Sequence, residues 1–350
     1  MDHRSFLGIE LPVIQAPMAG VQDEALAIAV SAAGGMGSLP CAMLSADDVL
    51  AKASTIKAAT PQPFNLNFFC HSAPEPDDAG NRRWLRALTP YLSEFSVDPT
   101  CIPVEASRKP LDNAAVKLLE ELAPPFVSFH FGLPEGRLLS RVKATGAKVL
   151  SSATTVEEAL WLQQNGADAV IAQGVEAGGH RGMFLTDDLS TQLPTFELLA
   201  QVVRSVDVPV VAAGGIVNAS DVARALSLGA IAAQVGTTYL LCNEALTSDL
   251  HRQALSVQQA NAGDSQAVLT NVFSGRAARG IRNRAIDELG PLSEEAPAFP
   301  LAGNAMGLLR KAAEAQGKDD FSPLWCGTNT AGCLEIGAAQ MTRMLAGVDS

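Results

Sequence analysis

The sequence predicts an α/β fold: a (β/α)8 TIM barrel with a mainly helical C-terminal cap and a long insertion after the third strand. Eight short apolar runs, helical patterns between most of them, and a C-terminal stretch lacking such runs carry this expectation. Continuous apolar strands separated by helices imply a parallel sheet covered on both faces, since a strand with one wet face would alternate. Eight strands suggest closure into a barrel. An open doubly wound sheet, which suits six strands better, is the alternative.

In order, the runs are PVIQAP (12–17), GMGSL (35–39), FNLNFF (64–69), FVSFHFG (126–132), AKVLSSAT (147–154), ADAVIAQG (167–174), VPVVAAGGI (208–216) and IAAQVGTTYL (231–240). Segments such as TVEEALWLQQNG and NASDVARALSLG have helical length and composition. Residues 72–125 are long, Pro-rich and polar for a connection, with one helix expected at DNAAVKLLEELA. Residues 246–350 show no strand series and read as helices, among them AMGLLRKAAEAQG and TAGCLEIGAAQMTRMLAG. The expected organisation is a barrel over 1–245, carrying the insertion 72–125, and a substrate-capping unit over 246–350.

Composition narrows the function classes. With 47% apolar and 18% charged residues, the 350-residue chain can bury a core and is not disordered. A net charge of −12 repels phosphate backbones, and 5% aromatics leave few stacking platforms, so nucleic acid is a poor partner. The six cysteines form no CxxC pair or metal-type cluster, so no metal is expected, and buried thiols in a reducing compartment fit best. No secretory h-region and no membrane-length apolar run is seen, which predicts a soluble, cytoplasmic protein without a membrane partner. Oligomeric state is open.

Active sites of such barrels lie at the C-terminal ends of the strands. Those ends read Pro17-Met18-Ala19, Asn67, His130, Gln173, Gly178-Gly179-His180, Gly214-Gly215 and Gly236-Thr237. After aliphatic strand bodies, small and polar residues allow close backbone approach and hydrogen bonding to a ligand. AAGGI after run seven and QVGTTYL after run eight fall where phosphate-binding barrels hold a phosphate with backbone N–H groups. Gly214 and Gly215 then admit the anion, a Cβ at Gly215 is expected to intrude on it, and Gly236 and Thr237 add donors. AQGVEAGGHRG sets His180 on exposed, bendable backbone after two glycines, where imidazole suits proton transfer. His130, in SFHFG, is either a site residue or a satisfied buried histidine. Arg276 and Arg279, in SGRAARG, read as structural rather than as anion clamps.

Taken in order, QAPMAG, NFF at 67–69, SFHFG, AQGVEAGGHRG, AAGGI, QVGTTYL and SGRAARGI resemble the nitronate monooxygenase family, formerly called 2-nitropropane dioxygenases, over residues 12 to about 284. The resemblance implies non-covalent FMN and oxidation of an alkyl nitronate or nitroalkane by O2 to a carbonyl compound and nitrite. It also implies cofactor contacts from Ala19, Asn67, Gln173, Gly178, Gly214, Gly215, Gln234, Val235, Gly236 and Thr237, with His180 as the catalytic histidine. Near AFPLAGN (298–304), where members of the family carry pocket tyrosines, this chain has Phe299 and Gly303, and its only tyrosines are Tyr91 and Tyr239. An apolar substrate end containing Phe299, with His130 nearby, is therefore expected. The competing reading is an FMN-dependent NAD(P)H reductase of a quinone or an enoyl thioester. A flavin-free phosphosugar barrel would need a catalytic Lys or Glu at a strand end, which is not found.

Overall fold

The computed structural model describes residues 2–75, 77–103, 108–261 and 266–348. Its strands are β1 Val13–Gln15, β2 Gly37–Pro40, β3 Phe64–Phe69, β4 Phe126–His130, β5 Lys148–Ala153, β6 Ala169–Gln173, β7 Gly179–His180, β8 Val210–Ala213, β9 Ala232–Val235, β10 Ala267–Thr270 and β11 Ala278–Ile281. All eight predicted runs contain a barrel strand. The parallel order is β1-β9-β8-β6-β5-β4-β3-β2. Closure between the two ends comes from the Gln15 N–H donating to the Met36 carbonyl at 2.9 Å, and the Met36 N–H to the Val13 carbonyl at 3.0 Å. The open-sheet alternative is thereby excluded.

The strands are aliphatic because both faces are covered. Val170, Ala172, Val210 and Ala212 pack outward against Leu162, Leu198 and Val202 of the helices. Ile14, Leu150, Ile171 and Val211 face inward with Phe6, Leu7 and Ile9 of the N-terminal segment, which closes the base. Above that plug the interior turns polar. Gln15 Nε2 donates to Gln22 Oε1 at 2.7 Å, and Ser128 Oγ accepts from both Asn65 (2.8 Å) and Asn67 (2.9 Å). Paired polar groups are tolerated in a core. Here they form the floor of the barrel mouth.

Helix starts follow local capping chemistry. Asp112, Thr155 and Asn218 each accept a backbone N–H of the first turn, at 2.8, 3.2 and 2.9 Å. The insertion is more helical than its composition predicts. Asp78–Glu94 forms a helix that runs through Pro90, in addition to the expected Asn113–Leu122. Trp84, Leu88 and Leu92, four residues apart, pack on Ala302, Ala305, Met306 and Leu309 of the Ala302–Glu314 helix, and this apolar seam outweighs the proline.

The C-terminal part also holds strands that its sequence does not announce. β10 and β11 pair antiparallel, and β11 pairs with β7. Four-residue segments such as ARGI are too short to display a period. The last helix, Ala338–Leu345, lies in the outer ring, packed on Leu26 and Val222, with the Tyr239 hydroxyl 2.8 Å from Thr342 Oγ1. No helix among the described residues is long and apolar enough to cross a membrane.

Candidate active site

A cavity at the barrel mouth collects nearly every residue predicted from strand ends. Its lining includes Ala19, Asn67, His130, Gln173, Gly178, His180, Gly214, Gly215, Gln234, Val235, Gly236 and Thr237. Among the described residues the lining contains no Asp or Glu, although the chain carries 37 acidic residues. Arg108 is the only lysine or arginine among the described residues that lines it. A concavity whose described lining carries a cation and no carboxylate, in a negatively charged protein, suits an anionic ligand.

His180 is set by three layers of constraint. Gly178 and Gly179 precede it, and Gly179 adopts φ +68°, a left-handed conformation that favours glycine. A Cβ at Gly178 would lie 2.4 Å from the Cys326 carbonyl carbon, so this turn packs directly on the 326–327 backbone. β7 then joins β11, opposing His180 to Ala278. Finally the His180 carbonyl accepts from Gln173 Nε2 and from His130 Nε2, both at 3.1 Å. The His180 ring itself lies 2.9 Å, at Nε2, from Ser274 Oγ. Phe299 and Trp325 approach it at centroid distances of 5.3 and 5.7 Å, and Phe69 and Phe131 complete the apolar wall.

Burial holds the His180 imidazolium unstable, and the positive Arg108 and Arg276 depress its pKa further, well below the usual histidine value. At neutral pH it is therefore a neutral proton acceptor. His130 resolves in favour of the satisfied buried histidine in its bonding, while still lining the cavity. Its Nε2 donates to the His180 carbonyl, so Nδ1 accepts from the Ser152 hydroxyl at 3.0 Å. Burial pushes its pKa down to about 4.

Gln173 sits where expected, but both ends of its amide are engaged. Nε2 reaches the His180 carbonyl, and Oε1 accepts the Gly182 N–H at 2.8 Å. It shapes the histidine loop from the cavity wall. Gly214 and Gly215 adopt φ +113° and +66°, as the sharp turn after β8 requires. The steric expectation for Gly215 needs correcting: an added Cβ would meet the Glu176 side chain at 3.0 Å, so the limit there is backbone strain and Glu176. Thr237 Oγ1 accepts the Gly327 N–H at 2.8 Å, which leaves its hydroxyl proton for another acceptor.

Phe299 belongs to the cluster Phe69, Phe131 and Phe299, beside His180 rather than among the cavity-lining residues. Arg279 donates to the Val175 and Ala267 carbonyls at 3.0 and 2.9 Å and is structural, as expected. Arg276 stacks on Phe131 at 4.3 Å and donates to the Met183 carbonyl.

Several residues escape strand-end reading. Arg181, fully buried, donates to the Gly174 and Gln173 carbonyls at 2.8 and 3.0 Å and pins the end of β6. Ser274 and Trp325 arrive from the C-terminal part, and Arg108 from the insertion. Of these, Arg181 lies in AQGVEAGGHRG and Ser274 in SGRAARG, whereas Arg108 and Trp325 lie in no segment that the motifs single out.

The likeness to known proteins agrees with this geometry. A nitronate monooxygenase from Pseudomonas aeruginosa is 40% identical over 97% of this chain and 96% of its own length. Another, from Paraburkholderia phytofirmans, is 38% identical over 97% of this chain and 92% of its own. Among solved structures, a nitroalkane oxidase from Streptomyces ansochromogenes superposes with a TM-score of 0.87 at 34% identity, covering 98% of this chain and 96% of that one. FabK from Thermotoga maritima gives a TM-score of 0.71 at 26% identity, covering 98% and 94%. The family model described as nitronate monooxygenase matches residues 3–345, almost the whole barrel and everything that builds the histidine wall, and the chain is therefore an oxidoreductase belonging to the nitronate monooxygenase family.

Proposed function

We propose that this chain binds FMN in the mouth cavity and oxidises alkyl nitronates with O2 to a carbonyl compound and nitrite. The observation that carries the reading is a cavity lined by no carboxylate among the described residues of a strongly acidic protein, with a glycine cradle at β8 and β9 and a neutral histidine on the opposite wall. FMN fits the residues present. Backbone around Gly214–Gly215 and Gly236, with the available Thr237 hydroxyl proton, suits a phosphate. Ala19, Asn67, Gly178, Gln234 and Val235 would flank the rest, while Gln173 holds the loop that carries His180. Bound FMN supplies the electron-accepting and oxygen-reacting chemistry.

The protein's own part is positioning and proton handling. Neutral His180 can take the α-proton of a nitroalkane or hydrogen-bond a nitronate already formed. The Ser274 hydroxyl at its Nε2 orients the ring, and His130 and Gln173 fix its backbone from below. Phe69, Phe131, Phe299 and Trp325 keep water from that wall. In this reading the insertion and the part of residues 246–350 that includes Ser274, Phe299 and Trp325 select the substrate.

Anaerobic mixing of the purified protein with a nitronate or with NADH, followed by flavin absorbance, tests the proposal. The expected protein is yellow, releases FMN on denaturation, is bleached by the nitronate and yields nitrite in air. Bleaching by NADH alone would transfer the assignment to a reductase. A colourless protein that cannot be reconstituted with FMN would remove it.

A further inference from the structure

A nitronate brings a full negative charge into a cavity where His180 and His130 are neutral, so a permanent cation is needed to receive it. Four arginines surround the histidine wall. Arg181 and Arg279 use their guanidinium groups on backbone carbonyls, and Arg276 lies on Phe131 while donating to Met183. Arg108 differs. It lines the cavity, and among the described residues no carboxylate or carbonyl accepts from its guanidinium. Burial and Arg310 disfavour its charge, and no acidic group among the described residues compensates.

The surroundings hold it there. His71 lies close enough to the Arg108 backbone to feel it and meets Phe299 edge-on at 4.8 Å. A Cβ on Gly303 would come within 3.2 Å of Arg108 Nη1, so the absent side chain at 303 is what leaves room for the guanidinium. After burial, Arg108 is also the largest influence on the His180 proton, which places the two groups in one electrostatic neighbourhood.

We infer that Arg108 is the substrate-binding residue that receives the negative charge of the nitronate opposite His180. This rests on the proposed nitronate oxidation, and it assigns a specificity role: the chain binds the anion directly and depends on His180 most for a substrate that still carries its α-proton. An arginine whose guanidinium no described residue engages is poised for a planar, two-oxygen anion, which its fork of donors matches.

The test compares wild type, Arg108→Met and Arg108→Lys as FMN-loaded proteins on a pre-formed nitronate and on its parent nitroalkane, by oxygen uptake and nitrite release. Loss of a charged hydrogen bond should lower kcat/KM for the nitronate about 10- to 100-fold, mainly through KM. The nitroalkane should suffer much less, and Lys should recover part of the loss. Flavin content should be unchanged, and the Met variant should melt no lower than wild type, since an uncompensated charge has been removed. Equal losses on both substrates, or none, would overturn the inference. Loss of flavin in the Met variant would assign Arg108 to the cofactor phosphate instead. Calorimetric binding of nitrate to the holoprotein, independent of turnover, separates the two readings. If wild type makes no nitrite yet binds nitrate through Arg108, the anion site stands and the nitronate chemistry falls; nitrate bound equally by the Met variant ends the proposal.

Discussion

The two walls of the cavity are built on different principles. The wall below β8 and β9 is local: Gly214, Gly215, Gly236 and Thr237 follow directly from two adjacent strands, and their backbone does the work. The opposite wall presents Arg108 from the insertion, His180 from a strand end and Trp325 from far along the chain, backed by His71, Phe131, Ser274 and Phe299. Backbone donors tolerate side-chain drift elsewhere, whereas a wall of side chains from seven separate positions along the chain depends on all of them. The first wall therefore suits an invariant part of a cofactor, and the second suits the variable part, the substrate.

The sharpest way to break that contrast is at His180. His180→Ala should keep the fold and the flavin, because the ring donates nothing to the glycine cradle. Loss of a positioned acid–base group costs about two to four orders of magnitude in rate. A neutral nitroalkane, which must lose its α-proton, should lose nearly all turnover, while a pre-formed nitronate keeps a measurable fraction. Oxygen uptake with flavin occupancy measured in parallel decides it. Near wild-type turnover on both substrates would show that the histidine wall is not where the chemistry is done.

The same contrast explains what the sequence made legible. Strands and their C-terminal ends could be read because a (β/α)8 barrel puts function at a fixed place relative to each apolar run, so Asn67, Gln173, His180 and Gly215 were all visible as positions. Their bonding was not. Gln173 looked like a ligand donor, yet its two amide ends close on His180 and Gly182, a matter of three-dimensional reach. Arg108 lies in a polar stretch with no period, and nothing in SRKPL distinguishes it from a solvated arginine. The Asp78–Glu94 helix was hidden by Pro90, because its stability comes from a partner helix more than 200 residues away.

A second prediction concerns how tightly the histidine wall is held in its neutral state. His130 and His251 have pKa values pushed down to about 4, and His71 and His180 are lowered too, each chiefly by burial. These groups take protons in the unfolded chain below about pH 6.5 but not in the folded one. Their contribution is therefore complete above that pH and is lost as pH falls toward 4. For a histidine displaced this far the loss is on the order of 3 kcal/mol. Urea unfolding of the holoprotein between pH 7 and 5, above the carboxylate range, should show stability falling steadily. His130→Asn should flatten the slope by up to one proton, about 1.4 kcal/mol per pH unit. A pH-independent midpoint over this window would mean that the wall opens to water and the histidines titrate normally.

The smallest expected effect lies in the glycine wall, where two glycines look alike in sequence and differ in need. Gly214 adopts φ +113°, and a Cβ there would lie 2.8 Å from Thr195 Oγ1 and 3.0 Å from the Ala177 nitrogen. Gly236 adopts φ −114°, open to any residue, and its Cβ would meet Ala16 Cβ at 3.4 Å and Met18 Sδ at 3.6 Å, ordinary contacts. Gly214→Ala therefore incurs both strain and a clash, and should lower stability by more than about 1 kcal/mol while loosening flavin. Gly236→Ala should be neutral or stabilising by about 0.4–1 kcal/mol, because it restricts only the unfolded chain. Flavin should stay bound in that variant, since alanine keeps the backbone N–H that the cradle would offer. Paired thermal melts and flavin-release titrations of the two variants measure the difference. Equal damage at both positions would show that the cradle tolerates no side-chain atom anywhere along its length, and that its fit to the ligand is tighter than the backbone angles alone require.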